Sequence, residues 1–66
     1  MKYLIKKTCV LLEYGETYSG YYVSPNNYSS SKSLAKRFSY IQAVLMFYKL
    51  RNGLYDGDSL EIVKDE

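Results

Sequence analysis

Apolar residues occupy alternating positions near both ends of the chain and recur every three or four residues in the middle. Residues 2–13 carry apolar side chains on both alternating faces, which predicts a long central strand covered on two sides. Residues 17–23 are rich in aromatic and β-branched side chains and predict a second strand, joined to the first by a turn at Gly15. Residues 59–64 predict a third strand. The two ends of the chain are therefore expected to form one sheet.

The apolar spacing in the middle of the chain predicts one helix with two alternative starts. A cap at Ser33 gives a helix that runs unbroken to Arg51. A cap at Ser39, with Gln42 three residues later as in a capping box, gives a helix over 40–51. Both alternatives end the helix at the same place.

The charges favour the later start. Lys36 and Arg37 would lie in the first turn of the longer helix, where the helix dipole disfavours cations. With the later start they belong to a short turn over 33–37 that precedes the helix. In both alternatives, four apolar side chains of the helix are expected to form its core stripe: Ile41, Val44, Leu45 and Tyr48.

These elements predict a single α+β domain over residues 1–66, with the order β-β-α-β. Residues 24–32 contain turn-forming Pro, Asn and Ser and are expected to be a loop, with Pro25 ending any strand pairing there. The predicted sheet has three antiparallel strands in the order 2-1-3, and the helix packs on one face. The other face is expected to be uncovered.

Composition narrows the chemistry. The chain has 66 residues, one cysteine and no histidine, so it cannot form an internal disulfide or the usual Cys/His zinc site. Cys9 lies in an apolar strand and is interpreted as an inert core residue. We expect no metal, no cofactor and no enzymatic activity. No apolar run is long enough for a membrane span, and a cytoplasmic location is expected.

Nine tyrosines are the unusual feature of the composition. Tyrosine offers a large contact area with few side-chain torsions to freeze, which suits binding surfaces. Tyr18 and Tyr22 share one face of the second strand, with Gly20 between them. If that face points away from the helix, the two rings form an exposed platform. The residues expected to contact a protein partner are Tyr14, Tyr18, Tyr21 and Tyr22.

Two other functions remain open at this point. Single-stranded nucleic acid could stack on the same tyrosines, while five cations met its phosphates: Lys6, Lys7, Lys32, Lys36 and Arg37. The net charge of +2 is too small to favour nucleic acid by itself. Alternatively, two copies could form a homodimer by pairing their open sheet faces.

Residues 33–43 resemble a segment of small phage and prophage proteins of Gram-positive, staphylococcal-type bacteria. In those proteins an Ala-Lys/Arg-Phe element follows a hairpin and precedes a capped helix; Ala35, Phe38 and Ala43 match it here. The resemblance implies an uncharacterised accessory protein without catalytic residues. It also implies a function in which the protein binds and inhibits a host protein, for example one of a defence system.

Overall fold

The computed structural model describes residues 1–11 and 15–65. Within them the chain forms β1 (Tyr3–Leu11), β2 (Glu16–Ser24), β3 (Asn27–Ser29), α1 (Tyr40–Arg51) and β4 (Ser59–Lys64). A 3-10 turn, Lys32–Leu34, lies between β3 and α1. The fold is therefore α+β with one helix and one antiparallel sheet, as predicted.

The sheet has four strands in the order β3-β2-β1-β4, and the prediction of three strands was wrong. The extra strand lies in the segment that was predicted to be a loop. Pro25 and Asn26 form a tight turn, with Asn26 at a φ of 60°, and β3 pairs back onto β2. Pro25 therefore does not end the pairing. Because β3 is only three residues long and contains two polar residues, it has no strand pattern of its own.

β1 is the centre of the sheet. It pairs antiparallel with β2 on one side and with β4 on the other. Leu4 and Ile5 are adjacent in sequence and point to opposite faces, yet both are fully buried. The prediction of a central strand covered on two sides is therefore confirmed at this end of the strand.

β2 pairs only with the second half of β1, from Lys6 onwards. Residues 35–39 lie beside the first half of β1 on the same side. The amide of Tyr3 donates to the carbonyl of Phe38 at 2.8 Å, and the amide of Phe38 donates to the carbonyl of Tyr3 at 2.9 Å. The amide of Lys36 donates to the carbonyl of Tyr22 at 2.9 Å. These bonds attach the segment before the helix to both neighbouring strands.

The helix begins at the later of the two predicted caps. The hydroxyl of Ser39 accepts from the amide of Gln42, and the side chain of Gln42 accepts from the amide of Ser39, which completes the capping box. Lys49 and Arg51 lie in the last turn, where the helix dipole favours cations. The local sequence pattern was therefore sufficient to predict both ends of α1.

The core lies between α1 and the sheet. Its buried centre combines Ile5, Tyr22, Phe38 and Ala43. Partly buried apolar side chains surround this centre: Tyr3, Tyr28, Met46, Leu50, Leu60 and Ile62. The helix lies over β1 and β4, whereas β2 and β3 extend beyond it.

Within residues 1–11 and 15–65, the opposite face of the sheet is open except at one end. There Arg37 donates from Nε to the Asp65 carboxylate at 2.8 Å and from a terminal nitrogen to the Ala35 carbonyl at 2.8 Å. The segment that carries Arg37 and the strand that leads to Asp65 flank β1 on its two sides. The ion pair therefore crosses β1 close to Leu4, which is fully buried on this face.

Replacing Ser39 with Ala should lower the free energy of unfolding by about 1 kcal/mol, because an amide in the first turn of the helix loses its acceptor. Urea denaturation followed by circular dichroism measures this change. Ser30→Ala, at an exposed position outside the helix, is the matched control and should change the stability by less than about 0.5 kcal/mol. Equal effects of the two substitutions would contradict the capping interaction.

Candidate functional site

The outer side of α1 is apolar and exposed. Ile41 is 72% exposed, Leu45 is 66% exposed and Tyr48 is 58% exposed. Their spacing of four and three residues places them along one line on the helix. Ala43, at the centre of the opposite side, is fully buried. We call these three exposed residues the outer stripe.

The prediction that these residues form the core stripe was wrong for Ile41, Leu45 and Tyr48; Val44 is half-buried. The helix sequence YIQAVLMFYKLR is apolar on almost every side, so spacings of three and four occur on more than one face. The observed inner face uses Ala43, Met46 and Leu50 instead. A helix that is apolar all round is normally covered on all sides.

A depression of about 340 Å³ lies beside the outer stripe. Phe38, Leu45 and Met46 form its apolar part, and Lys36 and Lys49 stand at its sides with Gln42. The Lys36 ammonium lies 5.6 Å from the centre of the Phe38 ring, which is a cation–π distance. Among the residues that the structure describes, neither the lining of the depression nor α1 contains a carboxylate. The outer stripe and the depression beside it therefore form an apolar surface with two lysines at its edge.

A second depression, of about 240 Å³, lies on the same face of the sheet, where β2 and β3 extend beyond the helix. A Cβ atom at Gly20 would lie only 3.2 Å from the Cβ of Tyr28, so glycine leaves room for the tyrosine. Lys7, directly opposite Gly20 on β1, places its ammonium 5.0 Å from the centre of the Tyr28 ring. The absence of a side chain at Gly20 thus allows the ring of Tyr28 on β3 to extend across β2 and contact Lys7 on β1.

Two groups in this second depression have raised pKa values. Burial, then the hydrogen bond and negative charge of Asp58, raise the pKa of the Cys9 thiol above 9.0, although Lys7 opposes this. Burial, then the neighbouring Tyr22 and Cys9, raise the pKa of Tyr28 above 10.0. Cys9 is therefore a neutral thiol at pH 7, whereas a nucleophile needs the thiolate. The arrangement does not favour covalent chemistry.

The tyrosines predicted to bind a partner do not form one surface. Tyr22 is 3% exposed and packs against Phe38, with ring centres 5.9 Å apart, so it belongs to the core. Tyr18 lies on the same face, which is the helix side rather than the open side, and is 58% exposed. Tyr21 is half-buried on the open face. Tyr14 lies outside the described residues. An exposed platform made of Tyr18 and Tyr22 is therefore not present.

The five predicted cations are also dispersed. Lys6 and Lys7 are consecutive strand residues and point to opposite faces. Arg37 is held by Asp65, and Lys36 lies over the Phe38 ring. Lys32 begins the 3-10 turn. This arrangement gives no single track of cations for a phosphate backbone.

Sequence reasoning missed the outer stripe, although the sequence held a signal for it. Between Tyr40 and Arg51 only Gln42, Lys49 and Arg51 carry charged or amide side chains, which is too few for a fully polar outer face. Sequence reasoning also missed the contact between Gly20 and Tyr28, because a glycine in a strand shows that a neighbour approaches but not which one.

Comparison with protein-family models, with curated proteins and with solved structures found no match to this chain. Among the described residues, no helix combines the length and the apolar character that crossing a membrane requires. The same residues contain no group of three or more potential acidic, Cys or His metal ligands. The surfaces of the molecule are therefore the evidence for its function.

The raised pKa of Cys9 predicts slow alkylation at neutral pH. The rate of reaction with iodoacetamide should rise with pH to a midpoint above 9.0, the ordinary value for the thiol. Asp58→Asn should lower this midpoint, because it removes a negative charge beside the sulfur. Mass spectrometry of samples alkylated between pH 7 and pH 11 measures both midpoints. A wild-type midpoint below 9.0 would contradict the assigned environment.

Proposed function

We propose that this protein is a non-enzymatic binding module that recognises another protein through the outer stripe of α1. The observation that carries the proposal is the exposure of Ile41, Leu45 and Tyr48 on a helix whose opposite side is fully buried. Burying one such side chain in a partner contributes about 1.5–3 kcal/mol before the costs of association. Three neighbouring side chains therefore provide a useful anchor.

The charges around the outer stripe favour one kind of partner surface. Lys36 and Lys49 line the hollow beside it, and α1 has no acidic residue. A partner surface with an apolar centre and carboxylates at its rim would complement this pattern. Two copies that met through their outer stripes would instead bring like charges together. The complementary partner is therefore a different, acidic protein surface.

The proposed result of this binding is inhibition of a host protein. The resemblance of residues 33–43 to phage and prophage accessory proteins supports it, and the outer stripe provides a surface with which to bind the target. In this account the protein acts by covering a surface of its target, without catalysis. A defence-system protein of a bacterial host is the proposed class of target.

Leu45→Glu should abolish partner binding, because it places a carboxylate in the middle of the outer stripe. Leu34→Glu is the matched control: Leu34 is comparably exposed but lies in the 3-10 turn. Each protein is immobilised and exposed to extracts of a Gram-positive host, and bound proteins are quantified by mass spectrometry. Proteins retained by the wild type and by Leu34→Glu should be at least about tenfold depleted with Leu45→Glu, as expected for a loss of about 1.4 kcal/mol or more.

The captured protein must then be purified and tested directly. Its binding should weaken as salt is increased, because the complex pairs cations with carboxylates. A photo-crosslinking residue at position 45 should join the two chains. Retention of the same proteins by wild type and Leu45→Glu would contradict binding through the outer stripe. Unchanged activity of the purified target in the complex would contradict inhibition while leaving binding intact.

A further inference from the structure

The outer edge of β4 is regular and has no neighbouring strand among the described residues. All six residues of β4 pair in unbroken register with β1. The other edge of the sheet is different, because β3 has three residues and its pairing contains an irregularity next to Pro25. Short and irregular edges resist further pairing, whereas long and regular edges invite it.

The hydrogen-bond pattern identifies which groups of β4 face outwards. The amide of Asp65 donates to the Lys2 carbonyl, so the alternate residues Val63 and Glu61 also exchange bonds with β1. The backbone amides and carbonyls of Leu60, Ile62 and Lys64 therefore point away from the sheet. These residues also have their side chains on the helix side.

The flank of α1 above this edge is apolar along its middle and carries Arg51 in the last turn of the helix. Gln42 lines the hollow beside Phe38, on the β2 side of β1. Val44 lies about 160° away around the helix at 100° per residue, and therefore faces the β4 side. Phe47 lies between Val44 and the buried Ala43 on the same flank. Both Val44 and Phe47 are half-buried, which leaves part of each side chain accessible above the strand edge.

We propose that two copies of this chain pair their β4 strands antiparallel to form one continuous sheet, with the two helices in contact on the same face. With Ile62 on the two-fold axis, Leu60 lies opposite Lys64 of the second copy. All three outward-facing residues are then paired by hydrogen bonds. No like charges lie directly opposite one another in this register.

The position of the helix supports the same arrangement. Strands are about 4.8 Å apart, and α1 lies over β1 and β4. Pairing across the two-fold axis would therefore place the two helices antiparallel and about 10 Å apart, which is a normal distance for packed helices. The two flanks with Val44 and Phe47 would face each other. A strand from a different protein could form hydrogen bonds with the outer edge of β4, but it would leave the flank with Val44 and Phe47 uncovered.

The size of the interface sets the expected strength. A six-residue strand gives an interface about 20 Å long, which is small for a protein dimer. We therefore expect a dissociation constant in the micromolar range. Sedimentation equilibrium between about 5 μM and 1 mM covers that range.

Val44→Lys should raise the dimer dissociation constant at least tenfold, because it places two cations in the helix contact. Leu34→Lys, far from β4, should leave the constant unchanged. A wild-type monomer throughout the concentration range would overturn the proposal, and so would an equal effect of the two substitutions. Val44 is not one of the three outer-stripe residues, but its spacing of three from Ile41 and four from Tyr48 makes it their neighbour on the helix. Partner binding by Val44→Lys is therefore measured alongside its dimer dissociation constant.

Amide hydrogen exchange tests the proposal without a substitution. As the wild-type concentration rises, exchange at Leu60, Ile62 and Lys64 should slow, following the dimer fraction. Exchange at Glu61 and Val63, whose amides bond to β1, should change much less and serves as the internal control. Equal changes at all five amides, or none, would contradict strand pairing at this edge.

Discussion

The pairing of Tyr3 with Phe38 is the constraint on which the rest of the structure depends. Two hydrogen bonds attach residues 35–39 to the first half of β1, and the ring of Phe38 is buried beside Tyr22. Ser39 follows immediately and caps the helix, so the helix leaves the sheet from a fixed point. Because a helix is rigid, its start and direction determine which residues face the sheet throughout its length. This attachment therefore places Ala43, Met46 and Leu50 inside.

The same constraint leaves the other apolar side of α1 in solvent. A domain of this size cannot bury every apolar residue. In the described part of the chain, one helix lies on the four-stranded sheet and no second layer lies above it. The outer stripe and the flank above β4 are the two resulting surfaces. One has cations beside it and suits a different protein, while the other adjoins an unpaired strand edge and suits a second copy.

Local signals in the sequence were sufficient where one segment determines its own structure. Ser39 and Gln42 predicted the start of α1, and the last strand was predicted over the residues that form β4. The rotation of the helix could not be predicted, because the pairing of Tyr3 with Phe38 joins residues 35 positions apart. The burial of Tyr22 depends on that same pairing. β3 was missed because its three residues form a strand only through β2 and the turn at Pro25.

The rotation of α1 is the central claim, and two adjacent substitutions test it most directly. Leu45→Lys places a cation on the outer stripe and should change the free energy of unfolding by less than about 0.5 kcal/mol. Met46→Lys places the same cation against the core and should cost about 2 kcal/mol or more. Urea denaturation of both variants beside the wild type measures the difference. A larger loss for Leu45→Lys than for Met46→Lys would show that the helix faces the other way and would contradict the account.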